Sequence, residues 1–264
     1  MTERVTRVLL TLECDRLDAD AMKAVVRLAG DGELEMLGLF VEDEDLLRAA
    51  RLPGLTEVSV NTGEVKTVSV EQIQEQVAGQ ARRAREVFEA SARGLKVKHS
   101  FRIARGRAVD AVAEAALTSD IVVVSRALRA SGLRSRRGAH FESLVKKHGN
   151  ILFVNEPWAS GASVVVLCES TPTDCERPLN VARRIADAEN IELVLAVPPG
   201  AQSVERSPAD RVVHLDAWSE DAVAALCDQE DARLLVLPPT EKLDWRALLM
   251  NIVDRVPCSL LRLD

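Results

Sequence analysis

The chain has 264 residues, a formal net charge of −7 at pH 7, 47% apolar residues, an aromatic share of 3% and no Tyr. That length holds one large domain or two of ordinary size, and the acidic balance argues against nucleic acid as an overall partner. No apolar run approaches the roughly 18 residues of a membrane span, and MTERVTRVLLTLECD lacks the apolar stretch of a leader, so a soluble cytoplasmic protein with a Val, Leu, Ile and Ala core is expected.

In chain order, a buried strand is predicted over 5–13, then a helix over 18–30 and a second strand over 33–41. The stretch 53–69, with PG and NTGE, reads as loop. A long helix over 70–94 sets Ile73, Val77, Ala81, Ala84, Val87 and Phe88 near helical spacing and ends at Gly94, a plausible C-cap. Strand 96–103, helix 107–118, strand 120–125, an Arg-rich loop, helix 140–148 and strand 150–155 follow, and NEPWASGA (155–162) reads as a linker.

The remainder repeats this order. RVLLTLE (7–13) matches SVVVLCE (163–169), and ELEMLGLFV (33–41) matches NIELVLAV (190–197); Glu13 and Glu169 are 156 apart, Leu34 and Ile191 157 apart. DIVVVS (120–125) matches RLLVLP (233–238), and NILFV (150–154) matches CSLLR (258–262). The second copy has no long helix; only PPGAQSVERSPAD separates its second strand from RVVHLD, its least secure strand, because a parallel crossover usually carries a helix. Strands alternating with helices imply parallel pairing through right-handed crossovers. The expected fold is α/β: two tandem doubly wound parallel-sheet domains, 1–156 and 162–264, the second trimmed, packed face to face as an intramolecular pseudo-dimer.

Five cysteines (14, 168, 175, 227 and 258) form no C-x-x-C pair, and reduced thiols are expected, with Cys14 and Cys168 as redox candidates at strand ends and Cys175 at a helix entry. His99 and His214 read as structural, and His140, beside the Arg-rich loop, as a surface or helix-start residue or, alternatively, an anion contact. The EDED run (42–45) lacks His and EF-hand interleaving, so no metal site is expected.

In open α/β sheets, ligands sit at the carboxyl ends of the strands, at the switch point of strand order. The first copy's ends are Glu13-Cys14-Asp15, Phe40-Val41-Glu42, Ala104-Arg105-Gly106 and Ser125-Arg126. With the acid closing the first strand, LGLFVEDEDLLRAARLPG after the second, RGRAVDAVAEAALTSDIVVVSR and the closing VPCSLLRL, the sequence resembles the universal stress proteins in their tandem form, over about 230 residues. Nucleotide-binding members of that family carry, after the fourth strand, Gly, two residues, Gly, nine residues, then Gly with Ser or Thr. That register falls here on Ser125, Leu128, Gly138 and Ala139: the spacing is kept, but two of three glycines and the hydroxyl are lost. The resemblance places Glu13 at the ribose and Val41 against the base.

The second copy's loop, PPTEKLDWRALLMN, has no glycine and two prolines without N–H donors, so no nucleotide is expected there. In the first copy, Arg126, Arg129, Arg134, Arg136 and Arg137 read either as solvated surface charge or as charge-assisted replacements for the lost amide cradle. No Walker A, G-x-S-x-G or adenylation signature occurs, so catalysis is not expected. The resulting expectation is a stress-associated regulatory or scaffold protein without a required cofactor, working through an unknown protein partner or self-association, with no membrane or nucleic-acid partner. Its alternative is an adenine-nucleotide (ATP) or anion sensor using Glu13, Val41, Ser125, Arg126, Gly138 and Ala139.

Overall fold

A computed structural model describes residues 7–12, 22, 25–28, 33–49, 56–58, 65–67, 69–116, 121–125, 148–154, 161–169, 175–201, 208–237, 255–256 and 258–263, with backbone alone at 45, 46, 49, 56–58, 65–67, 108, 109 and 125. In the first half these form β1 (Arg7–Leu12), β2 (Glu35–Asp43), α1 (Glu44–Ala49), β3 (Thr56–Val58), β4 (Val65–Thr67), α2 (Val70–Gly94), β5 (Lys98–Gly106), α3 (Ala108–Ala115), β6 (Ile121–Ser125) and β7 (Ile151–Val154). In the second they form β8 (Ser163–Leu167), α4 (Glu176–Glu189), β9 (Glu192–Val197), β10 (Arg211–His214), α5 (Glu220–Gln229), β11 (Ala232–Leu237) and β12 (Ser259–Arg262).

Ten strands make one sheet in the order β10-β9-β8-β11-β12-β7-β6-β1-β2-β5. Counted from the seam between β12 and β7, both halves run fifth, fourth, first, second, third strand, so each half has the same doubly wound order. All pairs are parallel except β7 with β12, which is antiparallel with Phe153 opposite Leu260 and Ile151 opposite Arg262. The two halves therefore meet edge to edge in one sheet, correcting the expectation of face-to-face packing. The physical reason is that both faces of these strands already carry apolar side chains and helices, which leaves the edge as the surface free to join. At the seam Arg262 donates to the His148 carbonyl at 2.9 Å.

Alternate residues of each strand enter one of two cores. Val8, Leu10, Ile121, Val123, Leu152, Val164, Val166, Leu234 and Leu261 face α2, α4 and the helical residues 25–28. Leu9, Val122, Val124, Phe153, Val165, Leu235 and Leu260 face α3 and α5. Each core runs through both halves, and on the first face Arg184 also donates to the Leu28 carbonyl at 3.3 Å while Arg27 pairs with Glu189.

Helix α2 spans the predicted residues. Ser69 caps it through a reciprocal box with Gln72, and Ile73, Val77, Ala81, Ala84, Phe88 and Ala92 are buried. Val87 is 49% exposed, contrary to expectation, because the stripe is narrow and faces an edge strand. Its chain reversal falls at Lys96, with φ 55°, rather than at Gly94. Two short strands, β3 and β4, pair antiparallel inside the expected loop 53–69, and α1 forms where no element was assigned. The insecure strand is real: β10 lies parallel to β9, from Arg211 opposite Val194 to His214 opposite Val197. Asp210 anchors its start, taking two bonds from Arg183 at 2.8 Å each and one from the Leu193 N–H at 2.8 Å. The expected helix 140–148 falls on residues of which only His148 is described.

Candidate functional site

The carboxyl ends of β2, β1 and β6 lie side by side, and strand order reverses between β1 and β6. Their ladder runs from Val8–Ile121 to Leu10–Val123, stopping two residues before either strand ends. Beyond it the Thr11 hydroxyl donates to the Val123 carbonyl at 3.0 Å, so a side chain rather than an amide spans the start of the crevice.

Of the six expected site residues, Val41 and the backbone of Ser125 are described. Val41 sits near the end of β2 beside Ala104 of β5, both half-buried on the α3 side of the sheet. Ser125 closes β6 opposite Val154. Glu13 follows β1 directly; it, Arg126, Gly138 and Ala139 lie outside the described residues, as do Cys14, His140 and the other loop arginines. The structure thus brings Val41 and Ser125 to one edge of the sheet, separated by β1.

The rim beyond Val41 is polar. Glu42 accepts from Arg105 on β5 at 3.1 Å. Gly106 follows with φ 149°, a conformation side chains rarely adopt, and an added Cβ would meet no atom of the described residues within 4 Å. Arg107 is the N-cap of α3 but makes no side-chain cap bond.

The same place in the second half is built differently. The residue before the N-cap of α5 is Trp218, the counterpart in position of Gly106. Its indole N–H donates to Glu169 at 3.0 Å, and its ring packs on the core beneath α5. Ser219 caps α5 by accepting from the Ala222 N–H at 3.3 Å, and Arg255 pairs with Asp221 at the same helix end. Glu169, the acid matching Glu13, is therefore engaged from within the chain. Gly106 was placed at a strand end from sequence, whereas Trp218 was not singled out; the available signal was a bulky indole just before an S-x-x-A helix start, against a glycine in the matching loop.

Two cysteine pairs lie in this half. Cys168, just past β8, is joined to Cys175, the N-cap of α4, by a disulfide with Cα atoms 5.9 Å apart. This corrects the expectation of reduced thiols throughout, while the helix-entry position of Cys175 holds. The reason is geometric: the strand end and the helix start face each other across their connection at a span a disulfide bridges. Cys227 and Cys258 remain buried thiols in contact, and hydrogen bonding to Cys258, reinforced by burial, pushes the Cys227 thiol up. His99 is structural: its Nδ1 lies 2.9 Å from the Val97 carbonyl, and its ring meets Phe88 edge-on. His214 ends β10.

An open, mainly parallel sheet covered on both faces, with its crevice at the strand-order switch, is the doubly wound α/β class. No family model matches the sequence, and no curated protein matches it. The structure is similar to that of a universal stress protein from Archaeoglobus fulgidus DSM 4304, with TM-score 0.63 and 11% identity over 99% of this chain and 98% of that one. It is also similar to a functionally unknown protein from Pseudomonas aeruginosa PAO1, with TM-score 0.56 and 14% identity over 98% and 92% of the two chains. The fold is of the universal-stress-protein type, in two tandem doubly wound units.

Proposed function

We propose that this chain is a non-catalytic, stress-associated regulatory or scaffold protein of the cytoplasm whose second half has exchanged nucleotide binding for an internal plug. The observation that carries this reading is the Trp218–Glu169 hydrogen bond, which spends the acid that would meet a ribose and lays an indole at the strand ends. The two halves joined across β7 and β12 act as an intramolecular pseudo-dimer, with outer surfaces available to a protein partner or another copy. Among the described residues, no helix is long and apolar enough to cross a membrane.

A second reading applies to the first half. Among the described residues Gly106 leaves space where the second half carries Trp218, and α3 has no side-chain cap at its N-terminus, which favours an anion there. On this reading the first half senses an adenine nucleotide or anion with Val41, Ser125, Glu13, Arg126, Gly138 and Ala139. Thermal unfolding with and without millimolar ATP separates the two. A scaffold shows no change in midpoint. A sensor gains about 2.7 kcal/mol at a hundredfold excess over Kd, a rise of several degrees, and loses it in Arg126→Ala with Arg137→Ala.

A further inference from the structure

We propose that the Cys168–Cys175 disulfide is a reversible thiol switch that holds the Trp218 plug in place. Cys168 immediately precedes Glu169, the residue that accepts the Trp218 indole N–H. The disulfide ties that strand end to the first turn of α4, so the plug's acceptor is fixed to the 14-residue helix rather than to β8 alone. Reduction removes this tether while leaving the β8 ladder with β9 and β11 intact, together with the Cys168 N–H bond to the Ala196 carbonyl at 2.9 Å, so that the loosening falls beyond Cys168, at Glu169.

The chemistry favours exchange at this pair. Cys175 is the N-cap of α4 and makes no other side-chain cap bond, so its sulfur leaves at a helix N-terminus, where amide N–H groups and the helix dipole stabilise a thiolate. A thiolate of a small dithiol attacks the Cys168 sulfur, and the S–S bond breaks with its electron pair passing to Cys175. The reductant's second thiol then displaces Cys168, so that two electrons and two protons pass to the protein pair and the dithiol ends as its own disulfide. Oxidation by a low-molecular-weight disulfide reverses both steps. All four cysteines of this half are buried; the pairs differ in that Cys175 heads a helix, whereas hydrogen bonding to Cys258 pushes the Cys227 thiol up, which disfavours its thiolate.

The proposal goes beyond the functional reading above, and its failure leaves the ATP result untouched. The test uses the full chain carrying C14S, W158F and W245F, so that Trp218 is the sole fluorophore. Native protein is treated with dithiothreitol, alkylated and mapped by mass spectrometry, and acrylamide quenching of Trp218 is followed in parallel. The expected result is alkylation of Cys168 and Cys175 but not Cys227 or Cys258, with a quenching constant that rises about twofold as the strand end loosens and returns with oxidised glutathione. Cys175→Ser reproduces the raised quenching without reductant. A disulfide that yields only when the protein unfolds, or a reduced pair with unchanged quenching, would make the bond a plain staple and overturn the switch.

Discussion

Replacing Trp218 with Phe removes the indole N–H but keeps an aromatic ring on the sheet, so it isolates the hydrogen bond on which the plug rests. The bond spans 3.0 Å between two partly buried side chains. A hydrogen bond to a charged acceptor contributes about 1.5–3 kcal/mol, and residual solvent contact sets this one at the lower end. W218F is therefore expected to cost about 1.5 kcal/mol. E169Q keeps an acceptor oxygen but loses the charge, and charge-assisted bonds are about twice as strong as neutral ones, so it costs about 0.7 kcal/mol. Because both changes act on one bond, the double variant falls short of their sum by about 0.7 kcal/mol. Urea unfolding of the four proteins, with m-values unchanged, measures the cycle. Strict additivity, or a W218F midpoint equal to wild type, would show that the indole does not use Glu169 and would remove the basis for a sealed second half.

Two further outcomes rest on stability. At Gly161, with φ 107°, an alanine Cβ would lie 2.6 Å from the Arg233 backbone nitrogen, a clash no rotamer relieves, and Arg233 also donates to the Gly161 carbonyl at 2.8 Å; G161A should lose about 3 kcal/mol or more in urea unfolding. Asp210 is held at about 2, below its ordinary 3.8, by hydrogen bonds from Arg183 and the Leu193 N–H. Its folded value is the lower one, so its contribution is present above pH 4 and lost as pH falls toward 2; discounted for its 45% exposed side chain, it amounts to roughly 1 kcal/mol. D210N should flatten stability between pH 4 and 2, and an unchanged slope there would count against the clamp on β10.

The fold was readable where a residue pattern carries its own period. Helix α2 announces itself through Ile73, Val77, Ala81, Ala84 and Phe88 and through S-x-x-Q at its start, and the equal spacing of strand runs exposes the doubled sheet. What periodicity cannot encode is which sheet edges meet. Leu152 and Leu261 are apolar for burial under helices, and nothing in either run says that β7 and β12 pair antiparallel. β3 and β4, at three residues each, are too short to show alternation. The disulfide hid because its half-cystines flank a strand–helix connection, where only the fold reveals their proximity. Strand-end logic put Val41 and Ser125 at the carboxyl ends of β2 and β6, where the structure has them. Trp218 was not legible, since its match to Gly106 appears only when the two halves are laid on each other.

That superposition also explains how one half comes to be plugged. In the first half β2 and β5 stay paired beyond Phe40–Ile103, through Val41–Ala104 and Glu42–Arg105 to Asp43–Gly106. The chain is thereby held extended past the crevice, and its turn into α3 falls outside the strand ends. In the second half the ladder stops at Val197–His214, the point matching Phe40–Ile103, and the Leu215 N–H donates to the Val197 carbonyl as the chain turns. Leu215 is buried and Trp218 follows on the same face, so the turn folds inward over the end of β8. Three residue pairs of extra sheet thus separate the two chain paths. The shortened strand belongs with the short crossover before it, because a four-residue edge strand clamped by Asp210 is as much third strand as thirteen connecting residues deliver. The short β10 and the inward turn that brings Trp218 to Glu169 thus arise together at the end of β9.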